Sequence, residues 1–379
     1  MRHKKIDMSS VFYPVSKPDL SGKELYYVTQ AIKSGWVSSS GPHISRFEKE
    51  FARFIGAKYA IACSNGTAAL HLSLLALDIV PGDEVIVPSL TFIATANAVR
   101  YAGAKPVFVD VDPIYWQIDP EKIERAITKK TKAIIPVHLY GHPARMDKIM
   151  RIARTHKLFV VEDAAEAIGA EVNKKKVGTW GDVGVFSFHA AKVMTTGEGG
   201  MVVTNDSGLA QKVKVLHNHG RSRTGRYFLH DTLGFNYLMT NLQAAVGLGQ
   251  LARVDAFLKA KIRIAEWYSR FLKGTRGVVL PSQAPWAMSA HWLYSILIDP
   301  KAIGKNRDAV ITELRKKKVE SRPFFVPIHT QSIYKEYNHI KLPNTESLGI
   351  HGLNLPSFVT LRKKDVSEIV KRLQRVLDA

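Results

Sequence analysis

The chain has 379 residues, 46% of them hydrophobic, with one cysteine and a formal charge of +21. This composition excludes a disordered or fibrous chain, and no apolar run approaches the ~18 residues of a membrane span. The lone Cys63 excludes an internal disulfide and fits a reducing cytoplasm, so a cytoplasmic protein with no membrane partner is expected.

The basic residues stand in scattered groups such as Lys174-Lys175-Lys176 and Lys316-Lys317-Lys318, with no aromatics between them. That spacing reads as a solvated surface rather than a nucleic-acid face, though the field would also steer an anionic small substrate. The N-terminal stretch MRHKKIDMSS is basic and no apolar region follows it, so it does not read as a signal peptide.

In chain order, Ser21-Gly22-Lys23-Glu24 has a capping-box pattern, predicting a helix to about Ser34. Strands are predicted at Tyr59 to Cys63, Val85 to Val87, Pro106 to Val109, Lys132 to Val137, Leu158 to Val161, Val183 to Ser187 and Met201 to Thr204. Helices are predicted between them at Thr67 to Leu77, Thr91 to Tyr101 and Met146 to His156. This alternation argues for an α/β fold with a mostly parallel sheet covered by helices on both faces. After Gln243 one long helical stretch to about Leu272 is expected, and the chain ends in an amphipathic run from Val366 to Leu377. The reading is a large α/β domain over residues 1–250 and a smaller α+β domain over 251–379.

Four segments lie where strands end, which is where such sheets gather ligands. Ser64-Asn65-Gly66-Thr67-Ala68 opens a helix and could present free N–H groups to an anion; an ordinary N-cap by Ser64 or Thr67 explains it equally well. Val160-Val161-Glu162-Asp163-Ala164-Ala165-Glu166 carries acids at a strand end, where Asp163 could hold a protonated ring nitrogen or merely cap a helix. Lys192 sits among Ala190, Ala191, Val193 and Met194, a sheltered place suited to a Schiff-base amine, unless it is a surface lysine in a hairpin. Ser187 ends the strand before it and could donate to a phosphate. In Gly234 to Asn241, Thr240 or Asn241 is the expected N-cap of the next helix. An anion cradle, an acid, a lysine and a serine together suggest pyridoxal 5′-phosphate, and no metal site is indicated.

The block Ser187-Phe188-x-x-x-Lys192-x-x-Thr195-Thr196-Gly197-Glu198-Gly199-Gly200 resembles the DegT/DnrJ/EryC1/StrS sugar aminotransferases, a family of fold-type I pyridoxal-phosphate enzymes. Glu162-Asp163-Ala164-Ala165 and Gly178-Thr179-Trp180-Gly181-Asp182 are similar too, and the likeness runs from Ser21 to Pro356. The resemblance implies that Lys192 forms the Schiff base, Asp163 holds the pyridine nitrogen and Glu166 lies near the ring's phenolic oxygen. Phe92 would stack on the ring, and Gly66, Thr67 and Ser187 would bind the phosphate. Asn236 would reach that phosphate from the neighbouring subunit of a homodimer with shared sites. Leu238 departs from the family, which often has arginine there.

Within the family, Pro136 to Pro143, Glu166-Ala167, Arg322-Pro323-Phe324-Phe325 and Gly352 to Pro356 resemble the branch that makes GDP-perosamine from GDP-4-keto-6-deoxy-mannose. That implies glutamate as amino donor, pyridoxamine 5′-phosphate as the carrier between half-reactions, and His189, Arg322 and His329 as substrate contacts. The alternatives are transfer to a dTDP- or UDP-sugar, a pyridoxamine-phosphate dehydratase in which histidine replaces the lysine, and a non-catalytic cofactor-binding regulator. The register to Thr195-Thr196-Gly197-Glu198 sets Lys192, not His189, at the cofactor position.

Overall fold

The computed structural model describes residues 11–222, 224 and 228–378; the basic N-terminal stretch lies outside the described residues. Among the described residues seven strands form the main sheet. Their order is Tyr59–Cys63, Gly200–Thr204, Val183–Ser187, Phe159–Asp163, Thr131–Ile134, Glu84–Pro88 and Lys105–Val109. From Val183–Ser187 to Lys105–Val109 every pairing is parallel, whereas Gly200–Thr204 runs antiparallel to both of its neighbours.

Side chains alternate between the two faces of a strand. Here both faces are covered. Val161, Val183, Val185 and Val202 pack on one side with Leu70, Leu72 and Leu74 of the helix Gly66–Ala76. Val160, Phe186, Met201 and Val203 pack on the other with Phe47, Phe51 and Ile149. Two buried faces explain why these strands read as continuous apolar runs.

The strand ends fix the site's position. Gly200 pairs with Cys63 on one side and Ser187 on the other, so residues 188–199 form a loop that leaves and returns at one edge of the sheet. Asp163 ends its strand at the same edge, beside Val185. Phe186 and Phe188 anchor the loop's root, standing edge-on to Phe51 with ring centres 5.1 Å and 5.3 Å away. Edge-on aromatic pairs of this kind add about 1 kcal/mol each to the burial itself.

A second sheet, antiparallel, has the order Val278–Val279, Tyr294–Ile298, Gly352–Leu355, Arg322–Pro323. Ile296, Leu353, Val310, Tyr268 and Leu373 form its core, which Tyr13 joins from the N-terminal arm. Trp292 and Phe324, by contrast, pack into the core of the main sheet.

Several expectations are corrected. The single long helix is two, Asn241–Leu251 and Val254–Leu272, broken at Ala252 and Arg253. The Ser21 capping box does not form: Lys23 is the N-cap with no side-chain cap, and Glu24 Oε1 instead accepts from Gln250 Nε2 at 2.5 Å. The strand expected to reach Val137 ends at Ile134, because Pro136 has no N–H to give to a ladder. Thr240, not Asn241, caps its helix, in a reciprocal box with Gln243.

Candidate active site

Asn65 caps the helix Gly66–Ala76, its Oδ1 accepting from Ala68 N at 2.8 Å; neither Ser64 nor Thr67 is the cap. The N–H groups of Gly66 and Thr67 precede the first helical bond, so the helix cannot satisfy them. They open onto a cavity of about 630 Å³ that Ser187 also lines. A Cβ at Gly66 would stand 3.0 Å from that of Ser187, a tight contact that any larger residue would relieve only by shifting Ser187.

Asp163 faces the same cavity. Its Oδ2 accepts from Thr95 Oγ1 at 2.7 Å and its Oδ1 from Ala165 N at 3.2 Å. Burial raises its pKa, while Thr95, Ala165 and the Lys192 charge pull it back. A buried carboxylate in this state gains from a cationic partner in the cavity.

Glu162 and Asp163 point to opposite sides of the strand end. Glu162 is fully buried, and its Oε1 accepts from Trp180 N and Gly181 N at 2.6 Å and 2.8 Å. Its Oε2 accepts from Gly178 N at 2.8 Å and meets His138 Nε2 at 3.2 Å. Because Ala144 N donates to His138 Nδ1 at 3.0 Å, the His138 proton lies on Nε2. Glu162 therefore holds the turn Gly178 to Gly181 in place.

Lys192 Nζ lies 3.7 Å from Glu166 Oε1 and 3.8 Å from the centre of the Trp292 ring. Burial lowers the pKa of Lys192, against the pull of Glu166 and Asp163, which makes a neutral amine accessible. Burial pushes Glu166 up to about 7, against the Lys192 charge and the N–H of Tyr140. Tyr140 has a positive φ of 54°, and Gly141 follows it at 97°. At Gly141 a Cβ would come 2.7 Å from Trp292 N, so the turn and the Trp292 segment fit only with glycine there.

The cavity unites Gly66, Thr67, Phe92, Asp163, Glu166, Ser187, His189, Lys192 and Arg322. Two expected site residues do not line it. Asn236 is exposed, with its neighbours Phe235 and Tyr237 stacked on each other 5.0 Å apart. His329 is buried, its Nδ1 2.8 Å from Ser89 Oγ and its Nε2 3.3 Å from Glu346. His189 and Arg322 stand at the rim, each beside a glutamate, Glu198 at 3.7 Å and Glu320 at 3.1 Å.

Trp292, Tyr140 and Thr95 were not legible as site residues. Each acts through a partner distant in sequence, and no local pattern marks such a contact. An amine, a buried acid, a helix N-terminus and a hydroxyl in one cavity fit pyridoxal phosphate, which has an aldehyde, a basic ring nitrogen and a phosphate.

Comparison with known proteins agrees. GDP-perosamine synthase of Caulobacter vibrioides is 47% identical over 96% of this chain and 98% of its own. The Escherichia coli O157:H7 protein of the same name is 45% identical over 96% and 98%. The PMP form of a putative sugar aminotransferase of Streptococcus pneumoniae superposes with a TM-score of 0.91 at 26% identity, covering 97% of this chain and 98% of that one. The family model for DegT/DnrJ/EryC1/StrS aminotransferases matches residues 18–374, and the chain belongs to that family.

Proposed function

We propose that this protein transfers an amino group from glutamate to C4 of GDP-4-keto-6-deoxy-mannose, giving GDP-perosamine. The observation that carries the reading is the convergence of Lys192 and Asp163 on one cavity beside the N-terminus of the helix Gly66–Ala76. Two relatives named for GDP-perosamine synthesis, matched along nearly the whole chain, support the choice of acceptor.

Bound pyridoxal phosphate supplies an aldehyde carbon that accepts nitrogen and a ring that withdraws electrons. Asp163 would keep the proton on the ring nitrogen. The N–H groups of Gly66 and Thr67 and the hydroxyl of Ser187 would hold the phosphate. Phe92, half-exposed at the mouth, would cover the ring, and Glu166 would lie beside the phenolic oxygen. Nζ of Lys192 would take the proton from the α-carbon of glutamate and later deliver one to C4 of the sugar. Arg322 and His189 at the rim would meet the nucleotide sugar. His329 would act only through Ser89, as a strut beneath the Thr91-Phe92 segment.

The division near residue 250 is also our reading; the separate core around Ile296 and Leu353 supports it, with Tyr13 crossing over. A homodimer with shared sites is supported by Asn236, whose exposed side chain is free to serve a neighbour's cavity. Among the described residues no helix is long and apolar enough to cross a membrane. Lys192 beside Glu166, with His189 out at the rim, favours transfer over dehydration.

The test supplies purified protein with glutamate and GDP-, dTDP- or UDP-linked 4-keto-6-deoxy sugars, and reads product masses. An amine gained by the GDP-sugar is expected. Amination of only a dTDP- or UDP-sugar would move the protein to another branch, and loss of the 3-hydroxyl without amination would make it a dehydratase.

A further inference from the structure

Lys261, in the helix Val254–Leu272, is buried, with 4% of its surface exposed. Its Nζ donates to the carbonyl of Trp292 at 2.8 Å and to that of Ser357. Among the described residues no carboxylate pairs with it, and burial alone pushes it down to about 7. A buried amine held only by carbonyls contributes little net stability, and an apolar side chain of similar volume would often do as well. Its presence asks for a role beyond packing.

Trp292 supplies one. Its Nε1 donates to Ala191 O at 2.7 Å, gripping the residue before Lys192. Its ring face lies 3.8 Å from Lys192 Nζ, and the ring of Tyr140 stacks on it with centres 6.2 Å apart at 28°. An indole face at that distance attracts an ammonium group. The backbone of Trp292 is thus tied to Lys261, and its side chain holds both the loop and the amine of Lys192.

We propose that Lys261 is a positioning residue for the transfer reaction: by fixing the carbonyl of Trp292, it sets the indole that seats Lys192 Nζ. The inference rests on Lys192 being the reacting amine. Glu166 and Asp163 also act on Nζ, and neither substitution removes either carboxylate, so their pull on the amine is expected in every variant.

The test is a double-mutant cycle with Lys261→Met and Trp292→Leu, read in the holoenzyme. Each single variant is expected to lower kcat about tenfold, with KM for both substrates within twofold. Together they should lose no more than about twofold beyond the worse single variant, because Lys261 acts through the indole. Lys261→Arg, which keeps donors for both carbonyls, should regain at least half of the wild-type kcat. A second readout uses the cofactor-free chain: acetic anhydride labelling of Lys192 against pH, followed by peptide mass spectrometry. Both variants should move the labelling midpoint to lower pH, since an ammonium loses its indole face. If Lys261→Met does not fold, Lys261→Gln replaces it in the cycle. Single losses that multiply in the double variant, or a labelling midpoint unmoved by either change, overturn the proposal. The labelling needs no substrate, so it stands apart from whether GDP-4-keto-6-deoxy-mannose is the acceptor.

Discussion

The backbone N–H of Tyr140 donates to Glu166 Oε2 at 2.8 Å, which leaves Oε1 turned to Lys192 Nζ at 3.7 Å. One carboxylate thus joins the turn that packs on the Trp292 segment to the amine at the centre of the cavity. Tyr140 also accepts from Phe325 N at 3.1 Å, so the same residue fixes a cavity wall.

Glu166 has a raised pKa of about 7, against an ordinary value of 4.5. A raised carboxyl favours folding below about pH 4.5, where both states hold the proton, and that advantage is lost as pH rises through about 7. Glu166→Gln removes this titration. The difference in Tm between wild type and variant, both cofactor-free, should change across pH 4.5 to 7 and level off above it. A difference that stays flat through this window would contradict the raised pKa.

Lys192→Ala should lower turnover by about 10⁴-fold or more, since it removes both the covalent anchor and the proton carrier. The variant should still fold and bind the cofactor, because Asp163 and the helix N-terminus are untouched. Circular dichroism and cofactor titration check those points, and turnover near the wild-type rate would exclude Lys192 as the reacting amine.

Asp163→Asn should slow both half-reactions by about 10³-fold. The amide can still bond Thr95 and keep the packing, but it carries no charge to hold a proton on the ring nitrogen. Single-turnover rates with glutamate and with the sugar should fall together. Unchanged rates would reduce Asp163 to a capping residue.

Glu162→Gln should destabilise the protein by about 3 kcal/mol without altering substrate KM in the folded fraction. Four donors converge on this carboxylate, and an amide would turn an N–H toward some of them. Thermal unfolding measures the loss; a variant as stable as wild type would show that the Gly178 to Gly181 turn needs no such anchor.

Shared sites predict complementation between Lys192→Ala and Asn236→Asp. Each alone should be inactive, the second because its new charge would repel the phosphate. In a mixed dimer one site carries both lesions and the other neither, so up to about half of the sites should recover. Verified heterodimers with no recovery would assign Asn236 to its own subunit's site.

Lys192, Asp163 and the turn at Gly66 were legible because strand ends, small residues and unlike charges mark them locally. What lay beyond reach depended on distant contacts. Glu24 abandons its capping box for Gln250, 226 positions away, and the indole of Trp292 meets Ala191 across 101 positions. The break at Ala252 and Arg253 carries no proline or glycine, so apolar periodicity runs straight through it. The helix Pro42–Ile55 went unread although Pro42 at its start and Gly56 in a left-handed cap both announce it. His329 entered only through the family resemblance, and nothing local in the sequence shows that Ser89 holds it in a buried place.

Adjacent residues Glu162 and Asp163 also separate what a mutational survey would merge. A screen scored only by growth would rank both positions as intolerant, for unrelated reasons. One set of losses should be recoverable by lower temperature or a stabilising background, and the other should not. That contrast would sort structural from chemical dependence along this strand.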